Sequence, residues 1–192
     1  MSTIKATHIQ HPSAASPNLT LASDGTVSGG AGLGGLVHIH TETFASVSSV
    51  SIDDVFSEEY DNYRIIIYGA TASTDNALDF RLRASGTDST SSDYHLQILN
   101  YANTSLSGGR QTGGVSAEFG RINTGGSSFG IDMCSPFLSK VTTFISNNSY
   151  NLDSTVRQVY GRHAATTSFD GLTIYHSGTI TGTIRIYGYA NS

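Results

Sequence analysis

A chain of 192 residues with no tryptophan, one cysteine and three prolines leaves several kinds of protein out of reach. The lone Cys134 closes no internal disulfide and builds no cysteine-rich zinc site. It stands in the run Phe129-Gly-Ile-Asp-Met-Cys134 and is expected to pack there as a small hydrophobe. Charge is also scarce: 13% of the residues are Asp, Glu, Lys or Arg, where an ordinary globular chain has about a quarter. The balance is acidic, with a net charge of −5, whereas nucleic-acid binders carry a basic stripe that displaces counterions. Nucleic acid is therefore not expected as a partner. The N-terminus lacks the apolar core of a signal peptide, and no apolar run approaches the roughly 18 residues of a membrane span. Synthesis in a cytoplasm is expected, and membrane insertion is not.

What the chain does have is 21 glycines, many Ser and Thr residues, ten tyrosines and eight phenylalanines, with 38% hydrophobic residues in all. That apolar content supports one sizeable core. Thr, Tyr, Ile and Val fit pleated strands, while Gly-Ser-Asn clusters supply turns, so the expected class is all-β. Strand-like runs recur at residues 36–43, 63–68, 78–84, 94–101, 115–122, 128–134, 141–145, 156–163, 172–175 and 183–189. The last two read as a hairpin with a glycine-bearing turn. Alternation is clearest at Leu78-Asp79-Phe80-Arg81-Leu82-Arg83-Ala84, which sets Leu78, Phe80, Leu82 and Ala84 on one face. Residues 63–68, Tyr-Arg-Ile-Ile-Ile-Tyr, are nearly continuously apolar and suggest a strand covered on both sides. Residues 51–57 suggest one short helix, with Ser51 as N-cap and Asp54 completing a capping box. Many short strands separated by turns predict a β-sandwich or jelly roll of two packed sheets.

The first 35 residues differ. Ile4, Ile9, Leu19, Leu21 and Val27 are spread thinly among Ser, Ala, Gly, Pro12 and Pro17, too few to bury a core. Residues 19–27 look like a small hairpin turning at Asp24-Gly25, and the glycine-rich residues 28–35 read as a flexible joint. The expected organisation is an extended N-terminal arm over residues 1–35 and a β-sandwich domain over residues 36–192. Such an arm finds its burial on another chain, with Ile4, Ile9, Pro12, Leu19, Leu21 and Val27 as its contact residues; a disordered tail is the alternative.

Three stretches taken together carry a resemblance: Tyr60-Asp-Asn-Tyr-Arg-Ile-Ile-Ile67, Leu78-Asp-Phe-Arg-Leu-Arg83, and the ending Phe169 to Gly188 with Gly178-Thr-Ile-Thr-Gly-Thr-Ile-Arg-Ile-Tyr-Gly188. This pattern, over about residues 44–190, resembles a β-domain of tail-fibre-like structural proteins of tailed bacteriophages. The arm's opening, residues 4–13, also resembles the start of phage fibre and virion proteins. The resemblance implies a non-enzymatic virion component, assembled in the host cytoplasm as a homotrimer and attached to other virion proteins through its arm. It implies a tail-fibre or receptor-binding role on a host-surface glycan or protein. The alternative is a capsid decoration or head-fibre protein.

Gly126-Ser-Ser-Phe-Gly130 formally matches the nucleophile elbow G-x-S-x-G, but Phe129, Ile131 and Met133 alternate as a strand where the elbow needs a helix. No catalytic residue is assigned. His38-Ile-His40 would aim two imidazoles at one strand face; phage long-fibre tips use such pairs to enclose a metal on a three-fold axis. Two solvated polar side chains are the plainer alternative, and no metal or cofactor is assigned. Asp53, Asp54, Glu58, Glu59 and Asp61 form an acidic loop without the spacing of a calcium site. Tyrosines at 94, 101, 150, 160, 175, 187 and 189 offer aromatic faces with hydrogen-bonding tips suited to polysaccharide, and Tyr94, Tyr101 and Tyr187 are the chosen host-contact candidates. The Gly-Ser loops at 103–114 and 123–128 are further candidates for an exposed binding edge.

Overall fold

A computed structural model describes residues 8–9, 19–21, 27–29, 35–102, 104–150 and 155–191. Among these residues there are strands and turns but no helix, so the protein is all-β. It divides into two compact units, one of Met1–Gly35 with Ala190–Ser192 and one of Leu36–Tyr189.

In the first unit β1 (His8–Ile9), β2 (Leu19–Leu21) and β3 (Val27–Gly29) pair antiparallel in that order. Leu21 pairs with Val27, as the expected hairpin requires, while Asp24 and Gly25 lie outside the described residues. Of the arm residues, Ile9, Leu19, Leu21 and Val27 fall on these strands, and Ile4 and Pro12 lie outside the described residues.

The second unit contains β4 (Leu36–Ile52), β5 (Asn62–Ala72), β6 (Asn76–Ala84), β7 (Thr87–Asp88), β8 (Tyr94–Ala102) and β9 (Ser105–Gly114). These are followed by β10 (Ala117–Ile122), β11 (Ser127–Cys134), β12 (Thr142–Tyr150), β13 (Thr155–His163) and β14 (Gly171–Tyr189). One antiparallel sheet runs β10-β6-β14-β5-β11-β12-β13-β8-β9, with β4 on β14 and β7 on β6. The sheet curls because β14 serves two layers. Its first part, Gly171 to Tyr175, lies between β6 and the end of β4; from Ile180 onward it lies between β5 and the beginning of β4. The register shifts between Tyr175 and Ile180, where the strand bends from one layer to the other.

Curling brings β10 over β12 and β13. Three polar ties close the layers there: Arg157 donates to Glu118 at 2.6 Å, the Arg121 N–H donates to Asn148 Oδ1 at 3.0 Å, and Ser146 Oγ donates to the Phe119 carbonyl at 2.5 Å. Gly120, at φ +151, makes the approach possible, since a Cβ there would lie 2.8 Å from the Asn148 side chain. Between the layers sits a core in which Phe80 stacks on Phe119, ring centroids 3.9 Å apart, and meets Phe144 edge-on at 4.9 Å. Leu78, Phe80 and Leu82 are all buried, as their alternation predicts.

Several sequence expectations require correction. The C-terminal hairpin is the single strand β14, and Gly178 marks its bend: its N–H donates to His176 Nδ1, while Ser73 Oγ accepts the N–H of Thr179. No helix forms at 51–57. Ser51 is still in β4, its hydroxyl hydrogen-bonded to Thr173, and the N–H groups of Val55 and Phe56 both donate to the Asp170 carbonyl, so tertiary partners replace the helical ones. Residues 63–68 are covered on one face only: Tyr63, Ile65 and Ile67 are buried, whereas Tyr68 is exposed. The glycine-rich stretch 103–114 is mostly strand β9 rather than a loop, because its pairing with β8 is carried by the backbone. Cys134 is exposed rather than packed.

Opposing carboxylates at this edge give the fold a pH dependence. Asp79 lies directly across from Glu118 in the β6/β10 pair, and burial, reinforced by the Glu118 charge, pushes its pKa up to about 6. A carboxyl whose pKa is higher folded than unfolded favours the fold while protonated, and that contribution is lost as pH rises from about 4 through about 6. Asp79→Asn is therefore expected to raise stability at pH 7 by about 1–2 kcal/mol, after discounting for partial exposure, and to change it little at pH 4. Urea denaturation at the two pH values measures this; equal effects at both would contradict it.

Candidate functional site: an open sheet face with a polar groove

The layer β14-β5-β11-β12-β13-β8-β9 turns one face to the core and the other outward, and alternation decides which side chains face out. On β13, Val159 and His163 are buried while Tyr160 and Arg162 are exposed; on β12, Phe144 and Ser146 are buried while Thr143 and Ile145 are exposed. Register aligns the outward residues in rows. Arg64, Asp132, Ile145, Tyr160, Gln97 and Arg110 follow one another across β5, β11, β12, β13, β8 and β9. Two neighbours of that row are tied together, with Arg64 and the Tyr189 hydroxyl both donating to the Asp132 carboxylate, at 2.5 and 2.6 Å. The bond to Asp132 and burial hold the Tyr189 hydroxyl above the ordinary tyrosine pKa.

At the β8/β9/β13 end of this face lies a groove of about 360 Å³. Its lining includes His95 and Gln97 of β8, Arg110 and Thr112 of β9, Thr143 of β12, and Tyr160 and Arg162 of β13. Gly161 belongs to the lining too, and has no room for a larger residue: a Cβ there would lie 2.1 Å from the Phe144 ring on the core side. His95 Nδ1 accepts the Gly113 N–H at 3.3 Å, which leaves Nε2 as the protonated nitrogen of the neutral ring. Beside the groove the surface is apolar. Tyr101 pairs with Leu106 on β9 and with Val156 on β13, all three are exposed, and exposed Leu99 lies on the same strand as Tyr101. β9 ends the sheet, so the patch adjoins an open edge.

The tyrosines chosen from sequence are dispersed. Tyr94 cannot touch any partner: it is fully buried, its hydroxyl accepts the Leu82 N–H at 2.9 Å and donates to the Ser89 carbonyl at 3.1 Å, and burial pushes its pKa up to about 12. It is a core residue whose polar end is satisfied internally. Tyr101 is exposed but belongs to the apolar patch, and Tyr187 is half-buried with its ring edge-on to His38, centroids 5.5 Å apart. The groove instead uses Tyr160, one of the seven tyrosines named from the sequence but not among the three host-contact candidates, and Arg110 of the 103–114 edge, together with Gln97 and Arg162, which carry no sequence signal of their own. Alternation along the strand at 156–163 places Tyr160 and Arg162 on one face; Arg110 falls in the 103–114 edge, but the glycines there hide the strand β9 that carries it.

The remaining motifs do not converge. The register shift between Ile186 and Tyr187 leaves an extra residue on β4, so His38 stands beside Tyr187 and His40 beside Ile186, on opposite faces. His38 Nε2 lies 2.8 Å from Thr41 Oγ1, and His40 lies 3.6 Å from Glu42. Asp53 of the acidic loop is spent on Arg83, at 2.6 Å. Among the described residues no group of three His, Cys, Asp or Glu side chains could hold a metal ion. Ser128 lies inside β11, paired with Ser149, with strand rather than helix following it. No helix of the described residues is long and apolar enough to cross a membrane.

A scan of protein-family models and a search of curated proteins return no match to this chain.

Proposed function

We propose that the chain is a non-enzymatic structural protein of a tailed-bacteriophage particle, most simply a tail-fibre or receptor-binding component. The reading begins with the sequence resemblance, and the observation that carries it further is the open polar groove around Tyr160. A β-domain that keeps an aromatic face, two arginines, a glutamine and threonines on a rigid, outward sheet offers what recognition of a host-surface glycan or protein needs. Affinity of one such groove is modest, and display in several copies multiplies it. The exposed apolar patch of Tyr101, Leu106 and Val156 beside the open β9 edge suits contact with sister subunits, in keeping with a homotrimer. The first 35 residues serve in this reading as the attachment arm to other virion proteins. In the alternative, a capsid decoration or head-fibre role, the arm docks over the shell and the domain contributes particle stability or loose adhesion.

Removal of residues 1–35 tests the division of labour. The shortened protein is expected to keep the thermal melt of the β-domain, since Leu36–Tyr189 is a compact unit of its own, and to be missing from purified particles. Incorporation at the full-length level would refute the arm.

A further inference from the structure

Arginine is the main cation of this chain, and nearly every arginine is engaged. Arg64 pairs with Asp132, Arg81 and Arg83 with Asp88, Arg121 with Asp75 and Arg157 with Glu118. Arg185 lies over the Tyr68 ring at 5.0 Å. Arg110 and Arg162 alone have no such partner among the described residues, and both line the groove. No Asp or Glu lines it, although acidic residues outnumber basic ones in the sequence, 15 to 10. Two exposed, unpaired guanidinium groups converging on one concavity in an acidic protein form an anion-recognition arrangement, since the guanidinium fork matches carboxylate and sulfate geometry.

The rest of the lining narrows the ligand. Arg110 and Arg162 stand on the two strands that flank β8, at the levels of Gln97 and His95, so their backbones are roughly 12 Å apart, two strand spacings and two residues. That separation exceeds the size of one small anion and suits a chain carrying acidic groups at intervals. Tyr160, 46% exposed and opposite Gln97, stands at the Arg110 level and two residues before Arg162 on β13, offering a flat stacking surface beside both arginines, while Gln97, Thr112 and Thr143 supply neutral hydrogen-bonding groups for hydroxyls. We infer that the groove binds an acidic glycan, with Arg110 and Arg162 on its acidic groups and Tyr160 against a sugar ring. This rests on the receptor-binding reading for its biological setting, but the chemistry stands on the groove itself.

Calorimetric titration of the full chain with a panel of acidic oligosaccharides bearing uronate, sialate or sulfate groups tests the inference. The controls are the uronate oligosaccharide with its carboxyls reduced to alcohols, and a poly-glutamate peptide. One acidic oligosaccharide is expected to bind, more weakly at high salt. Arg110→Ala and Arg162→Ala should each weaken it about tenfold, as loss of a charged hydrogen-bonding partner does. Tyr160→Ala should weaken it while Tyr160→Phe retains it, with unchanged melting in every variant because the altered side chains are exposed. Equal binding of the carboxyl-reduced sugar would overturn the anionic part, equal binding of poly-glutamate would make the groove an acidic-protein site, and no binding across the panel would overturn the inference outright. Adsorption of the full-length protein to host cells, measured in parallel, separates these failures from failure of the receptor-binding reading, because adsorption can persist through any of them.

Discussion

Arg157→Ala is expected to destabilise the β-domain by about 3–5 kcal/mol, the usual cost of removing one partner of a buried ion pair. Both side chains of the Arg157–Glu118 pair are nearly buried, 11% and 14% exposed, and Arg157 also donates to Asn100 Oδ1 at 2.7 Å. Without the guanidinium, Glu118 would be left facing Asp79, a carboxyl already held up to about 6 by burial and by Glu118 itself. The two negative groups would then repel at neutral pH. Lowering the pH toward 5 protonates Asp79 and should return part of the loss, as should adding Glu118→Gln to the variant. Chemical denaturation of the single and double variants at pH 7 and pH 5 checks each step. A loss below about 1 kcal/mol would place the pair among surface ion pairs and remove it as a tie between layers.

Phe80→Ala should cost a similar amount by a different route, about 3–5 kcal/mol from lost burial and the cavity left behind. Phe80 is fully buried and stands where three rings meet: it stacks on Phe119 with planes 7° apart, and meets Phe144 and Tyr94 edge-on at 4.9 and 6.2 Å. Those partners come from β10, β12 and β8, so one side chain links strands that the curl of the sheet brings together. Since about 1 kcal/mol moves the midpoint by roughly 2–4 °C in a domain of this size, thermal unfolding should fall by about 10 °C. Unlike the Arg157 loss, this one should be unchanged between pH 5 and pH 7. Phe80→Leu, which keeps more of the volume, should cost less.

The contrast between these two residues shows what the sequence made legible. Phe80 could be placed in the core from alternation alone, because Leu78 and Leu82 repeat its character two residues away. Arg157 could not, since its partner lies 39 positions earlier and is reached only through the curl. Gly178 ordinarily signals reversal, so the sequence of β14 by itself suggests a hairpin; in the fold it marks a bend, and only the pairing of β14 with both β5 and β6 reveals this. Strand β9 escaped because glycine removes the side-chain pattern while leaving the backbone pairing intact. The candidate site suffered most. Tyr94 and Tyr160 are the same residue type on strands of similar composition, and nothing local says that one hydroxyl is satisfied by Leu82 and Ser89 while the other ring faces outward. The groove assembles from β8, β9, β12 and β13, so its residues become neighbours only through register.

The central claim, that this β-domain is displayed on a phage particle to contact the host, is tested most directly by locating it. Intact particles from the host carrying this sequence would be labelled with gold-conjugated antibody against residues beyond Gly35 and viewed by electron microscopy. Label concentrated at the tail is the expected result. Label over the head would replace host recognition with capsid decoration, and unlabelled particles would contradict the virion assignment itself.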